Sequence, residues 1–308
     1  MQSTLEPDKL CLQVRYTKRS KHGRLWGSYP AMMYLACPLR SALCKGLYWD
    51  LDMVKCHAMI LLNIANRPCI DLELPHLQAY IDDPDIVLKA LAVHYLRKDS
   101  PANRKAAKGL INSVLNRGTT AGWVLNWQKW LVGEGSGLPP REVQKLVRFG
   151  GNVAESVQKW LGAFKYGKEI CQNVATLGDH PLISDLNYNI RTLHGAMHRE
   201  YPEVFKDAIE AIKVDDQLRQ RFGGSQERME GKAFSDCLFE IEKRLLQAII
   251  RAARELFGYR VDSMVHDGCH VRIPPGAGDT MPAEHIKAIE TMVKEQLQFD
   301  IKLKVKPF

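Results

Sequence analysis

Tyr48-Trp49-Asp50-Leu51-Asp52 is a short apolar stretch that ends on two acids, and Met53–Ala65 after it carries a helical apolar pattern. The spacing predicts a strand over Leu47–Asp52 giving way to a helix over Met53–Ala65, with Asp52 placed to cap it. A third acid stands far down the chain, in Val265-His266-Asp267-Gly268. Strand signals at Tyr259–Val265 and Cys269–Ile273 flank the turn at His266-Asp267-Gly268, so Asp267 is expected at the tip of a hairpin. Taken singly, each acid has a plainer reading, as a helix cap or as turn chemistry. Together they are carboxylates mounted on separate rigid elements. Two-metal phosphoryl transfer needs that arrangement around two ions about 3.5–4 Å apart. Mg2+ suits such a site because it takes oxygen ligands and keeps waters and substrate phosphates.

Between and around these segments the chain is mostly helical. Residues 1–45 are irregular, basic and rich in turn formers, with arginines in the Gly- and Pro-shaped loops His22-Gly23-Arg24-Leu25 and Pro38-Leu39-Arg40. Such arginines can reach phosphates or minor-groove edges. Pro84–Arg97 reads as a helix. Ser100-Pro101 reads as the start of another, a cap followed by proline at the first helical position. That helix runs to about Asn116 and stops at Gly118. Arg104, Lys108, Asn112 and Asn116 recur every four residues on one stripe of it, with Lys105 beside them. Two cations and two amides on one face suit a triphosphate with its base or sugar; the plainer alternative is a solvated basic face.

The stretch Gly122–Leu218 is expected to be helical, broken at 133–140 and 178–181. A long amphipathic helix is expected over Ala233–Phe257, ended by Gly258. A helix at Pro282–Gln296 and a strand at Phe299–Val305 close the chain. The order implies an α+β fold, helices against a small antiparallel sheet. The expected divisions are 1–45, 46–100, 101–230 and 231–308.

Composition narrows the function classes. The chain has 308 residues and a net charge of +8, so its surface favours polyanions. Eight cysteines are scattered without a C-x-x-C pair, which argues against a zinc ribbon or thioredoxin-type site and for a reducing compartment. The longest apolar run, Ala58–Ala65, is interrupted by Asn63 and is too short to cross a bilayer. A soluble, intracellular protein with no membrane partner is expected, with cytoplasm or nucleus left open.

Trp123, Trp127 and Trp130 are spaced to stack bases or, more simply, to form a core stripe. Lys129, Lys145, Arg148, Lys159, Lys165 and Lys168 read as a solvated face. His194 and His198 have a chelating spacing but no third ligand. Glu240 and Arg244 read as an i,i+4 pair.

In their order along the chain these segments resemble the family A DNA polymerases, over nearly the whole sequence. Gly23-Arg24-Leu25, Pro30 and Pro38-Leu39-Arg40 resemble the loop that begins G-R-L and ends P-x-R. Asp50–His57 resembles motif A, and Arg104–Lys108 the R-x-x-x-K of motif B on the fingers helix. Gly231-Lys232-Ala233-Phe234-Ser235 resembles the start of the helix before motif C. His266-Asp267-Gly268 resembles the H-D-E of motif C.

The resemblance implies a right-hand palm, a small antiparallel sheet with helices, split at residues 46–100 and 231–308. A helical fingers insertion would fill 101–230, and a primer- and template-contacting segment 1–45. Asp50, Asp52 and Asp267 would hold two Mg2+ ions, with Mn2+ able to substitute. Arg104, Lys105, Lys108, Asn112 and Asn116 would bind the nucleotide, and Lys108 would protonate the leaving pyrophosphate. Arg24, Arg40 and His266 would hold the primer end.

The departures from the family pattern are specific. Motif A reads D-L-D-M-V-K-C-H, so Lys55 takes the sugar-sensing position if Asp50 is the metal ligand, and His57 takes it if Asp52 is. Asn112 and Asn116 stand where aromatic rings are expected. Gly268 replaces the second acid of H-D-E, which single-subunit phage RNA polymerases also lack. These features resemble most the transposon and virus branch (TV-Pol) of the superfamily. They imply a DNA-directed DNA polymerase of a virus or mobile element, working on a DNA or RNA primer–template with dNTPs or NTPs and a helicase or primase partner. A primase or RNA polymerase that begins chains de novo is one alternative. A non-catalytic nucleic-acid-binding replication subunit is another. A two-metal nuclease is disfavoured, because it needs no helix that grips a triphosphate.

Overall fold

The structure, a computed structural model, describes residues 14–18, 25–27, 31–35, 37–118, 123 and 179–308. The chain divides into two compact units, Met1–Asn63 with Glu200–Phe308, and Ile64–Arg199. The fold is α+β, as the sequence implies.

The first unit is built on two small antiparallel sheets. Strands β1 (Tyr16–Lys18) and β2 (Leu25–Gly27) pair with each other. Helix α1 (Cys37–Cys44) leads into β3 (Tyr48–Met53), which is followed by α2 (Cys56–Ala65). The other strands of the main sheet come from the far end of the chain: β4 (Val261–Val265), β5 (Gly268–Arg272) and β6 (Leu303–Lys306). Their order is β4-β5-β3-β6, antiparallel throughout, so β3 lies inside the sheet.

Alternation along β3 sends Trp49, Leu51 and Met53 to one face and Tyr48, Asp50 and Asp52 to the other. The apolar face continues in Cys269, Val271 and Leu303, all buried. The long helix α9 (Gln226–Phe257) packs against β5, and α10 (Ala283–Leu297) against both α9 and β6. Buried Phe234, Cys237, Leu238, Ile241, Leu245 and Ile249 make the apolar stripe of α9. The helices α7 (Pro202–Val214) and α8 (Asp216–Phe222) rest on α9 as well. The edge of β4 is covered by Tyr16, whose hydroxyl accepts the Met264 N–H (2.9 Å) and donates to the Met264 carbonyl (3.3 Å).

The second unit contains α3 (Pro75–Asp82), α4 (Pro84–Leu96), α5 (Pro101–Leu115) and most of α6 (Pro181–Glu200). Asp83 caps α4 and Ser100 caps α5 through the Asn103 N–H (3.2 Å), with proline opening each helix. The N–H of Gly118 closes α5 on the Ser113 carbonyl at 2.7 Å, and a Cβ on Gly118 would stand 2.8 Å from that oxygen. Trp123 is buried, with its ring 6.0 Å from Tyr95, so it serves the core. Trp127, Trp130 and the lysines and arginine between 129 and 168 lie outside the described residues.

Several boundaries differ from the sequence reading. Asp52 is not a helix cap: the strand runs through Met53 and α2 begins at Cys56. The Val54 N–H that a cap could satisfy is taken by the Lys302 carbonyl (2.8 Å), and the Met53 N–H beside it by the Asp267 carbonyl (3.2 Å). Lys55, in the left-handed region (φ 47°), then turns the chain into α2.

Pro38-Leu39-Arg40 is not a loop but the first turn of α1, where a proline's missing N–H costs nothing. Helix α9 starts at Gln226, ahead of its apolar stripe, because Ser225 caps it on the Arg228 N–H (3.3 Å) and its first turns are polar. The last strand begins only at Leu303. Phe299 and Ile301 are buried as the alternation predicts, but the Asp300 N–H is held by the Asn63 side chain (2.6 Å) instead of a strand neighbour. No helix among the described residues is long and apolar enough to cross a membrane.

Candidate active site

The polar face of the main sheet carries the acids. Asp52 lies between Gly268 of β5 and Lys304 of β6, and Asp50 between His270 and Lys306. The turn joining β4 to β5 holds His266, in the left-handed region (φ 54°), and Asp267. The ladder thus brings Asp52 beside the hairpin tip, while Asp50 lies deeper in the sheet.

Asp52 is 7% exposed. Burial pushes its carboxyl up to about 6, and the negative charge of Asp267 adds to this, with a smaller push from Asp50. Lys306 opposes the shift, its Nζ standing 2.5 Å from Asp52 Oδ2. Asp267 is therefore close enough to act on Asp52, and the Lys306 ammonium pairs with Asp52.

The position after Asp267 is restricted to glycine by close contact. A Cβ there would stand 2.7 Å from the Leu51 carbonyl oxygen and 3.1 Å from Asp52 Oδ1. The close approach of hairpin and strand that sets Asp52 against Asp267 leaves no room for a side chain.

Asp50 has different neighbours. His270, 1% exposed, sets its Nε2 3.8 Å from Asp50 Oδ1, and its ring lies between Tyr48 (5.9 Å) and Phe308 (5.4 Å). Neither ring nitrogen has a hydrogen-bond partner among the described residues. Burial pushes the imidazole down; Asp50 opposes that and Arg40 reinforces it. Arg40, on α1, also acts on the buried Cys44 thiol, which burial pushes up. Arg40, Asp50 and His270 thus share one corner of the first unit.

His57 opens α2 and lies against α9, its Nε2 3.0 Å from Glu242 Oε2 and its ring 5.2 Å from Phe239. Glu242 is 1% exposed. Glu240 pairs with Arg244 (3.4 Å), as its spacing predicts, and also with Lys243.

On α5, in the second unit, Lys105, Lys108 and Asn112 are exposed. Arg104 is not an open cation. Its Nε and Nη2 reach the two oxygens of Asp99 (2.6 and 2.7 Å), and its Nη1 reaches Asp85 (3.1 Å). This fork holds the Asp99 carboxyl below its ordinary range. Asn116 closes the helix, its side-chain amide donating to the Asn112 carbonyl (2.9 Å). Arg24 lies outside the described residues.

Three residues at these contacts escape sequence reasoning. Lys306 and His270 sit on strands whose partners cannot be read from the chain. Glu242 leaves a trace, a charge inside the apolar run Leu238–Glu242–Leu246.

Among the described residues, no group of three or more His, Cys, Asp or Glu side chains could hold a metal ion by itself. The donor set instead fits a hard cation held by a carboxylate pair and completed by water and phosphate oxygens. A buried acid beside a second acid, already drawing an ammonium to itself, is the chemistry such a cation would satisfy.

No protein-family model and no curated protein sequence matches the chain. Among solved structures it is similar to the POL domain of Pol1 from M. smegmatis, determined in complex with DNA primer-template and dNTP, with a TM-score of 0.47 and 11% sequence identity. The similarity covers 92% of this chain, which spans 44% of that one.

Proposed function

We propose that the chain is a template-directed nucleotidyltransferase, a DNA-directed DNA polymerase that extends a primer with dNTPs. The observation that carries the reading is the meeting of Asp52 and Asp267. They lie far apart in sequence, each in a segment that resembles a polymerase motif, and they are close enough for one carboxylate to raise the other.

In the proposed reaction the primer 3′-oxygen attacks the α-phosphorus of the nucleotide. A new P–O bond forms, the bond to the β-phosphate oxygen breaks, and pyrophosphate leaves. Asp52 and Asp267 would hold Mg2+, with Asp50 next to them on the strand. The ion, when bound, neutralises charge on the transferring phosphoryl group. Asp52 is fixed by the β3–β5 ladder, and the backbone of Asp267 is tied to the same strand through its carbonyl, which accepts the Met53 N–H. Arg40 and His266 are the candidate primer-end contacts in the first unit. Lys108 carries the triphosphate-binding and proton-donating part of the proposal. Arg104 joins it by exchanging Asp99 and Asp85 for phosphate oxygens. The finer assignment, to a virus or mobile-element enzyme, rests on the D-x-D of Asp50 and Asp52 and on Gly268.

The test is primer extension on a DNA template with Mg2+, with dNTPs and NTPs in parallel and the Asp267→Asn protein alongside. Extension with dNTPs that the substitution abolishes is the expected result. Products from NTPs without primer would move the reading to a primase. Wild-type rates from Asp267→Asn would overturn it.

A further inference from the structure

We propose that Lys306 is the resident cation of the carboxylate site, an ammonium that occupies Asp52 when no divalent ion is present and has to leave when one binds. The inference rests on the polymerase reading only in taking Asp52 and Asp267 as the ion's ligands.

The geometry favours exchange over a permanent structural pair. Asp52 is held inside the sheet, whereas Lys306 lies on the edge strand with its side chain 42% exposed. An ammonium on a flexible four-carbon stem can swing into solvent without disturbing the backbone. Lys304, not Lys306, stands directly opposite Asp52 in the ladder. Lys306 nevertheless makes the contact, reaching diagonally along the face to Oδ2 at 2.5 Å. Its charge thus goes to the acid that Asp267 also loads, past Asp50, its own cross-strand partner. At that distance the ammonium uses a carboxylate lone pair that an oxygen-seeking cation would need. Ion and ammonium therefore compete.

The test uses the full chain without nucleotide or DNA, with Mn2+ as the probe and the unbound ion followed by electron paramagnetic resonance. Lys306→Met should bind Mn2+ about five-fold more tightly than wild type, the equilibrium worth of a partly exposed ion pair. Lys304→Met removes the same charge from the same face without removing the contact, and should change affinity by less than about two-fold, as a screened charge does. Lys306→Arg keeps a cation and should bind no more tightly than wild type. Binding by Lys306→Met that equals that of Lys304→Met, or falls below wild type, overturns the proposal. If Asp267→Asn still abolishes the binding in that event, the polymerase reading stands. If no variant shows binding sensitive to Asp267→Asn, both fail.

Discussion

Asp52 should make the stability of this protein pH-dependent in a way that its amide replacement does not. In the folded chain its carboxyl is pushed from an ordinary 3.8 up to about 6 by burial and by Asp267. The folded state therefore holds a proton there more tightly than the unfolded chain does. The favourable contribution of that proton is complete below the ordinary value and is lost as the pH rises through about 6. Above that pH the ionised group costs about 3 kcal/mol relative to an ordinary exposed acid, at about 1.4 kcal/mol for each pH unit of displacement. Asn at this position carries no such dependence. In urea unfolding with a chelator present, wild type should gain about 1–2 kcal/mol relative to Asp52→Asn on going from about pH 7.5 to about pH 5. Asp267→Asn removes the second cause of the shift and should flatten the wild-type profile in part. Parallel pH profiles for wild type and Asp52→Asn would refute the placement of a buried Asp52 beside Asp267.

Other consequences follow from single contacts. Gly268→Ala puts a methyl group 2.7 Å from the Leu51 carbonyl oxygen and 3.3 Å from the Asp52 Cα, backbone that cannot swing aside, and should cost about 2–3 kcal/mol in urea unfolding and most of the extension activity. His57→Ala removes the imidazole from buried Glu242 and should cost about 1–3 kcal/mol by the same assay, with no loss expected from Lys105→Ala on the exposed face of α5. Asp99→Ala frees the Arg104 fork from its bidentate partner, and should tighten binding of a fluorescent nucleoside triphosphate by several-fold in titration.

The sequence makes the element types legible where periodicity is strong and caps are explicit. Ser100-Pro101 starts α5, Gly258 in the left-handed region ends α9, and turn residues mark the β4–β5 hairpin. It fails where a distant segment decides. Whether Asp52 caps a helix or ends a strand depends on who takes the Met53 and Val54 N–H groups, and both acceptors lie more than two hundred residues away. The same holds for the site. Each acid is visible as a motif, but the fourth charge, Lys306, arrives on β6 with nothing in its own neighbourhood to mark it.

We propose that packing, rather than the acids themselves, separates the two registers that the D-L-D stretch leaves open. Asp50 and Asp52 share a face of the sheet, two residues apart, Asp50 half-buried and Asp52 buried. What differs is the residue across the ladder. Asp50 faces His270, a side chain large enough to fill the gap between strands, and Asp52 faces Gly268, which contributes no side chain at all. Only at Asp52 can the turn close down, and there Asp267 and Lys306 both act on the carboxylate. In that register His57 takes the sugar-sensing position of the resembled motif, and it is already fixed by Glu242. On that proposal the assignment of Asp52 and the lack of a side chain after Asp267 share one cause: a glycine that lets the strand and hairpin meet.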